Sequence, residues 1–437
     1  NLVSVIEKAR LYRGRGGEIM RSAVSRFVEC MARSKVPLTV KQQIGILDSL
    51  DTNLKHPNEN IQKAAADALY AVTRSYFPVG ENGPSDRLHS RVVKMYTTAV
   101  NTDDNPAATR GYSLALGCLP SKLLAPSLDV LESIIDCLCR SSNPTTRVGG
   151  EGDAETRKNS IESLFRVCET VGIGTSPDMN CVYPTVALNT VLVKKVFQAL
   201  LDAMKDYNTD RRGDVGSWSR MAAMISMEKL VYLTVKASNI PQSTLGGASN
   251  ADTVHHIPSA PSLTMRFSSL EPDVANRAKS CFIDSKPFRE YPTHLSSIHF
   301  DDDMCSNVIG AMLKQLSEKL DLVRNQAGTC LQRLLTTTDP IVPFVSHRKL
   351  LVEALLLNTS DDQINWATPE ITFPLVMRAI NIDTFFDDIL SGLVISVGGL
   401  TESVQKSSSK AFMEYIRALK SLKSIGKVAK VGHGAFH

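Results

Sequence analysis

Apolar residues recur three and four positions apart through most of the chain. IMRSAVSRFVECMARS at 19–34, IQKAAADALYAVTRSYF at 61–77 and VLESIIDCLCRS at 130–141 each gather them on one side of a helix. Sustained alternation of period two is scarce, and no convincing hairpin stands out. The pattern predicts an all-α fold.

A second pattern lies on the first. In IQKAAADAL, Ile61, Ala65, Ala68 and Leu69 stand at i, i+4, i+7 and i+8, which share one helix face. Small residues in the middle let a neighbouring helix come close. The frame returns at Ala108, Tyr112, Ala115 and Leu116, and at Thr156, Ser160, Ser163 and Leu164. It returns again at Ser219, Ala223, Ser226 and Met227, at Val323, Ala327, Cys330 and Leu331, and at Val404, Ser408, Ala411 and Phe412. Ile19, Ala23, Arg26 and Phe27 give a looser version, and Ile364 is a candidate start between the last two. Arg157, Arg220 and Arg324 all hold the second place of their frames.

Starts at 19, 61, 108, 156 and 219 are separated by 42, 47, 48 and 63 residues, and those at 323 and 404 follow after 104 and 81 more. Two-helix repeats of the HEAT or armadillo kind run about 40–47 residues. The spacing therefore predicts a HEAT/armadillo-like α-solenoid superhelix. Capping agrees with the register. Asn105-Pro106 reads as N-cap and first-turn proline, and Asp153, Asp321 and Thr401 are placed to cap their helices.

The array breaks once. Residues 239–273 are rich in Ser, Pro, Gly and Asn and read as a polar loop or linker. The expected organisation is a repeat array over 1–238, the loop, a second array over 274–416, and a basic tail over 417–437. In that tail Arg417, Lys420, Lys423, Lys427 and Lys430 read as a solvated face rather than a lipid-binding one.

Composition narrows the classes further. Of 437 residues, 43% are hydrophobic and only 6% aromatic, so a large core must be built from aliphatic and small side chains. The net charge of +4 is too balanced to imply nucleic acid or an anionic membrane by charge alone. Nine cysteines are scattered through apolar segments with no CxxC, which fits a reducing compartment better than a disulfide scaffold. The longest apolar run, ILSGLVISVGGL at 389–400, is too short to cross a bilayer and reads as a buried helix.

Candidate chemistry is thin. GRGG at Gly14–Gly17 lacks the ending of a nucleotide loop and reads as an interhelix turn. No HExxH, no zinc-spaced Cys/His set and no GxSxG occur, so no metal, cofactor or catalytic residue is assigned. Met221, Met224 and Met227 form a stripe that suits core filling. The tripeptide Arg212-Gly213-Asp214 reads as an accidental match to an adhesion motif.

One stretch stands apart, TDRRGDVGSWSRMAAM at 209–224. Asp206, Asp210, Arg211, Arg212, Asp214 and Arg220 are able to form a local ion network. Gly213 and Gly216 permit unusual backbone, and Asp214 or Ser217 is placed to cap the helix carrying Trp218. Two readings stay open. The stretch is a salt-bridged ridge where one repeat stacks on the next. Or it is a protein-contact loop, with Asp210, Arg211, Arg212, Asp214, Trp218 and Arg220 as its contact residues.

DRRGDVGSWSRMAAM resembles a stretch of the tubulin-folding cofactor D (tubulin-specific chaperone D) family. LVISVGGLTESVQKSS at 393–408, LYRGRGGEIMRSAVSRFVEC at 11–30 and INWATPEITFPLVMRA at 364–379 resemble others. The likeness runs from about residue 1 to 416 and implies the C-terminal portion of a longer HEAT-repeat protein. The ending KSIGKVAKVGHGAFH does not resemble the family's continuation. The resemblance implies a cytoplasmic, microtubule-associated, non-catalytic scaffold. It implies β-tubulin and αβ-tubulin as clients, tubulin cofactors C and E and an Arf-like small GTPase as partners, and GTPase activation only jointly with other cofactors. The rival is a generic HEAT adaptor, such as a transport receptor or phosphatase scaffold.

Overall fold

The protein is described from a computed structural model, which covers residues 16–76, 85–102, 105–144, 153–174, 186–238, 299–356, 364–399 and 401–418. The predicted polar loop at 239–273 and nearly all of the basic tail lie outside the described residues. The chain forms two compact units, Asn1–Ser226 and Met227–His437.

In the first unit, α1 (Gly17–Arg33) and α2 (Val40–Leu54) both pack on α3 (Glu59–Tyr76). Next, α4 (Ser85–Thr102) pairs with α5 (Pro106–Leu116), and α5 lies between α3 and α8 (Ala154–Val171). A short α6 (Ser121–Leu124) leads to α7 (Leu128–Ser142), which pairs with α8 and also meets α9 (Thr190–Ala203). Helix α10 (Gly216–Ala237) carries the chain past the unit boundary. In the second unit, α11 (Asp302–Leu316) pairs with α12 (Asp321–Thr336), and α13 (Arg348–Leu355) with α14 (Pro369–Ala379). There, α15 (Phe386–Val397) pairs with α16 (Glu402–Ala418). This is the all-α, helix-pair, solenoid-like class the spacing predicts.

The repeated frame is the core face of the second helix in each pair. Ile61, Ala65, Ala68 and Leu69 are buried on α3, and Ala108, Tyr112, Ala115 and Leu116 on α5. Thr156, Ser160, Ser163 and Leu164 are buried on α8, as are Val323, Ala327, Cys330 and Leu331 on α12. On α16, Val404, Ser408 and Ala411 are buried while Phe412 is half-buried. One polar member pairs across helices: the Ser141 and Ser160 hydroxyls lie 2.7 Å apart, joining α7 to α8.

Two frames need correction. On α1 the face toward α3 is Val24, Ser25, Val28 and Ala32, whereas Ile19 is 77% exposed and Phe27 41%. The apolar residues of α1 form one broad stripe, and the frame at Ile19 picks its open edge. Ile364 precedes its helix altogether. The true frame on α14 is Thr372, Val376, Ala379 and Ile380, all buried.

Asn105 and Asp153 cap as expected, accepting the backbone N–H of Ala107 and Ala108 and of Thr156. Asp321 does not. It is the first residue of α12 and pairs with Arg324. Thr401 lies just before α16, where its carbonyl accepts the Gln405 N–H. Residues 389–397 of the apolar run lie on α15, with Ile389, Leu390 and Leu393 buried. No helix among the described residues is long and apolar enough to cross a membrane.

Candidate functional site

The stretch between α9 and α10 is a hairpin. β1 (Thr209–Asp210) pairs antiparallel with β2 (Gly213–Asp214), in the register Thr209↔Asp214 and Asp210↔Gly213. This corrects the expectation of no hairpin: strands of two residues are too short to show alternation. Arg211 and Arg212 form the tip. Gly213 takes φ +102°, a left-handed conformation that strains residues with a Cβ. Gly216 starts α10, and a Cβ there would stand 2.2 Å from the Asp206 carbonyl oxygen. Its N–H donates to the Asn208 carbonyl at 2.9 Å, closing the base. Asp214 accepts the Ser217 N–H at 3.0 Å, and the Ser217 hydroxyl donates back to the Asp214 carbonyl at 2.6 Å.

Beneath the hairpin, charge is buried and paired. The Arg220 side chain is fully buried. Its Nη1 donates to the Asp206 carbonyl at 2.5 Å and to Asp214 Oδ1 at 3.1 Å, and its Nη2 to Asp214 Oδ2 at 3.0 Å. Its guanidinium also lies 4.3 Å from the centre of the Tyr207 ring. From α8, Arg157 Nε donates to Asp206 Oδ2 at 2.7 Å, both side chains buried. Arg324 does the same work in the second unit. It donates to the Glu318, Lys319 and Ala367 carbonyls and to Asp321. Arg220 and Arg324, in the frame's second place, thus satisfy carbonyls of the turn before their helices, where no ladder supplies a donor, whereas Arg157 takes a carboxylate.

Above, Arg212 is locked. Its backbone N–H donates to Asp210 Oδ1 at 2.7 Å, its Nε and Nη2 to Asp210 Oδ2 at 3.0 and 2.7 Å, and its Nη1 to Glu155 Oε1 at 2.6 Å. Its guanidinium stands 4.9 Å from the Trp218 ring centre. Asp210 and then Glu155 raise the Arg212 pKa, and the Arg212 hydrogen bond in turn holds the Asp210 carboxyl below the usual range. The ladder continues backward. Arg110 on α5 reaches Asp153 at 2.9 and 3.0 Å, and Asp153 caps α8. Ion pairs therefore link the starts of α5, α8 and α10.

Five of the six predicted contact residues sit in this network: Asp210, Arg212, Asp214 and Arg220 as charged partners, and half-buried Trp218 under Arg212. Arg211 does not join by hydrogen bond or ion pair. It is exposed at the tip with neither among the described residues. Sequence reasoning did not single out Glu155 and Arg110, which bind the hairpin to its neighbours. Their signal was present, since Glu155 stands one residue before the frame start at Thr156.

The carboxylate of the Arg212-Gly213-Asp214 tripeptide is taken by Arg220. Met224 and Met227 are buried and fill core. Among the described residues no group of His, Cys, Asp or Glu is arranged to hold a metal ion. Described cysteines are free thiols. Burial pushes Cys118 up to about 11 and Cys137, Cys168 and Cys330 up to about 12, while Cys30 is exposed. A cleft of about 430 Å³ opens between α4, α6 and α7, lined by Val93, Leu123, Val130 and Ile134 with Lys94 and Lys122.

The fold and the hairpin define a helix-pair repeat scaffold whose polar ridge is built at the turns. Comparison with known proteins narrows this. Residues 306–433 match the family described as tubulin folding cofactor D C terminal. A protein of Dictyostelium discoideum named tubulin-specific chaperone D is 24% identical over 386 residues, covering 85% of this chain. Both likenesses point to the tubulin folding cofactor D family, the first over residues 306–433 and the second over most of the chain. The chain spans 22% of that relative's length. The family match runs to residue 433, which corrects the expectation that the likeness ends near 416. The crystal structure of an engineered protein aligns over 92% of this chain and 96% of its own at 13% identity, with a TM-score of 0.21, too low to carry an argument.

Proposed function

We propose that this chain is a scaffold segment of a tubulin-folding cofactor. It binds β-tubulin and takes part in assembling the αβ-tubulin heterodimer. It does so in the cytoplasm and on microtubules, with tubulin cofactors C and E and an Arf-like small GTPase as partners. GTPase activation of tubulin is a joint act of the assembly, and this chain performs no covalent step of its own. The observation that carries the reading is the match of residues 306–433 to the cofactor D C-terminal family. The fold supports it: helix-pair repeats offer broad surfaces, which suit a large protein client better than a small molecule. The hairpin between α9 and α10 is the part we assign to client contact.

The test is recovery of partners on the immobilised chain. β-Tubulin retained from a folding extract supports the reading. Recovery of import cargo or phosphatase subunits in its place would transfer the chain to the general adaptors. Turnover of GTP by the pure chain without tubulin would contradict the scaffold role.

A further inference from the structure

We infer that the cleft between α4, α6 and α7 is a binding site for a small, free organic anion with an apolar body, of the aliphatic carboxylate class. This goes beyond the scaffold reading, since it needs neither tubulin nor the hairpin.

The cleft is open because its two long walls are tied at one end. Near their C-terminal ends, Arg140 Nη2 of α7 donates to Asn101 Oδ1 of α4 at 3.1 Å. One turn back, the Cys137 thiol donates to the Thr97 carbonyl at 3.7 Å. A further turn back, α6 packs against both walls, and its Leu123 joins Val93 of α4 and Val130 and Ile134 of α7 in the lining. The space left is about 430 Å³. Pockets for small ligands run about 300–1,000 Å³, lined mostly by apolar side chains with a few placed polar groups.

The floor is hydrocarbon. Val93, Leu123 and Ile134 are buried and Val130 is half-buried. Thr97 also lines the cleft, but its hydroxyl donates to the Val93 carbonyl at 3.0 Å, so that proton is already used. The floor therefore suits an apolar body.

Charge fixes the head. Lys94 is exposed and Lys122 half-buried, and both border the cleft with neither ion pair nor hydrogen bond among the described residues. One carboxylate, Asp129, borders it too. Asp129 stands in the first turn of α7, just after the Ser127 cap, where the helix N-terminus favours a negative charge without any ligand. The lysines have no such compensation, since Lys94 lies in the middle of α4 and Lys122 on a helix of 4 residues. Two ammonium groups above an apolar floor complement an anionic head on an apolar tail. A cation would meet both lysines, and a neutral apolar molecule would leave both unused. A stable protein interface buries about 1,200 Å² or more, so a cleft of this size fits a molecule rather than a docked chain.

The test is calorimetric titration of the 437-residue chain with octanoate, with butyrate (head alone) and octanol (tail alone) beside it. Octanoate is expected to bind one site saturably, butyrate at least about tenfold and octanol about fivefold more weakly. Lys94→Glu combined with Lys122→Glu is expected to weaken octanoate about tenfold or more, and Asp129→Asn to tighten it about twofold. Ser133 lines the cleft from an exposed position, so Ser133→Phe should fill the space and abolish binding with helicity unchanged. Absence of saturable octanoate binding overturns the inference, as does equal binding by wild type and the double lysine variant. Octanol bound as tightly as octanoate would remove the preference for an anion. Binding retained in Ser133→Phe would place the site elsewhere, and uptake only from phosphatidylserine vesicles would show a membrane surface in place of a free ligand.

Discussion

Adjacent arginines at the hairpin tip do different work. Arg212 spends its donors on Asp210 and Glu155, whereas Arg211 spends none among the described residues. Reversing both charges together would confound fold with contact. Arg212→Ala is expected to lower stability by about 0.5–1 kcal/mol, the range of a surface ion network already discounted for solvent. Arg211→Ala is expected to leave stability unchanged. Urea midpoints separate them. The same contact has a titration signature. Arg212 holds the Asp210 carboxyl below its ordinary range. The stability this gives is present above the unfolded value of about 3.9 and is lost as pH falls through the lower folded value. Arg212→Ala should therefore move the Asp210 midpoint upward in a carbon-13 titration. An unmoved midpoint would show that the pair does not persist in solution.

At the level of elements, the frame was legible where two conditions met. Small or polar residues had to fill its middle, and a clear cap had to precede it, as on α5 and α8. It slipped on α1 because the apolar stripe there is broad, and nothing in one sequence says which edge meets α3. It was missed on α14 because Pro374, which lies inside that helix, reads in the sequence as a break. The hairpin's ion network was readable from composition, but its anchoring to α8 was not, since Glu155 and Arg212 lie 57 positions apart. The buried pair beneath it makes the sharper prediction. Asp206→Asn leaves Arg157 without its carboxylate in a dry site and should cost about 3 kcal/mol. Adding Arg157→Met removes the stranded charge and should recover part of that loss. A second substitution that deepens the loss would mean the pair is not the main tie between α8 and the hairpin. Thiol chemistry checks the packing independently. At pH 8, Cys30 should label in the native state well before Cys118, Cys137, Cys168 and Cys330, whose burial disfavours the thiolate.

For the whole molecule, the consequential feature is where the boundary between the two units falls. It lies between Ser226 and Met227, inside the single helix α10. The first turns of α10 are held by Arg220 to Asp206 and Asp214. Past the boundary, Glu228 takes Arg333 of α12 in a bidentate pair at 2.7 and 2.8 Å. In a repeat array, stability is approximately a sum of local terms and nearest-neighbour terms, so a helix shared by two units transmits loss from either side. Ile225 is 37% exposed near the middle of that helix, and its truncation to Ala serves as the side-chain control. A proline there removes a backbone hydrogen bond and clashes with the preceding turn, at about 3 kcal/mol or more. Ile225→Pro should therefore speed amide exchange in both α8 and α12, and Ile225→Ala in neither. Asp206→Asn should speed it in α8 far more than in α12, because its damage stays with the pair it breaks. Faster exchange confined to one side of Ile225→Pro would mean that α10 joins the two units in sequence without coupling their folding.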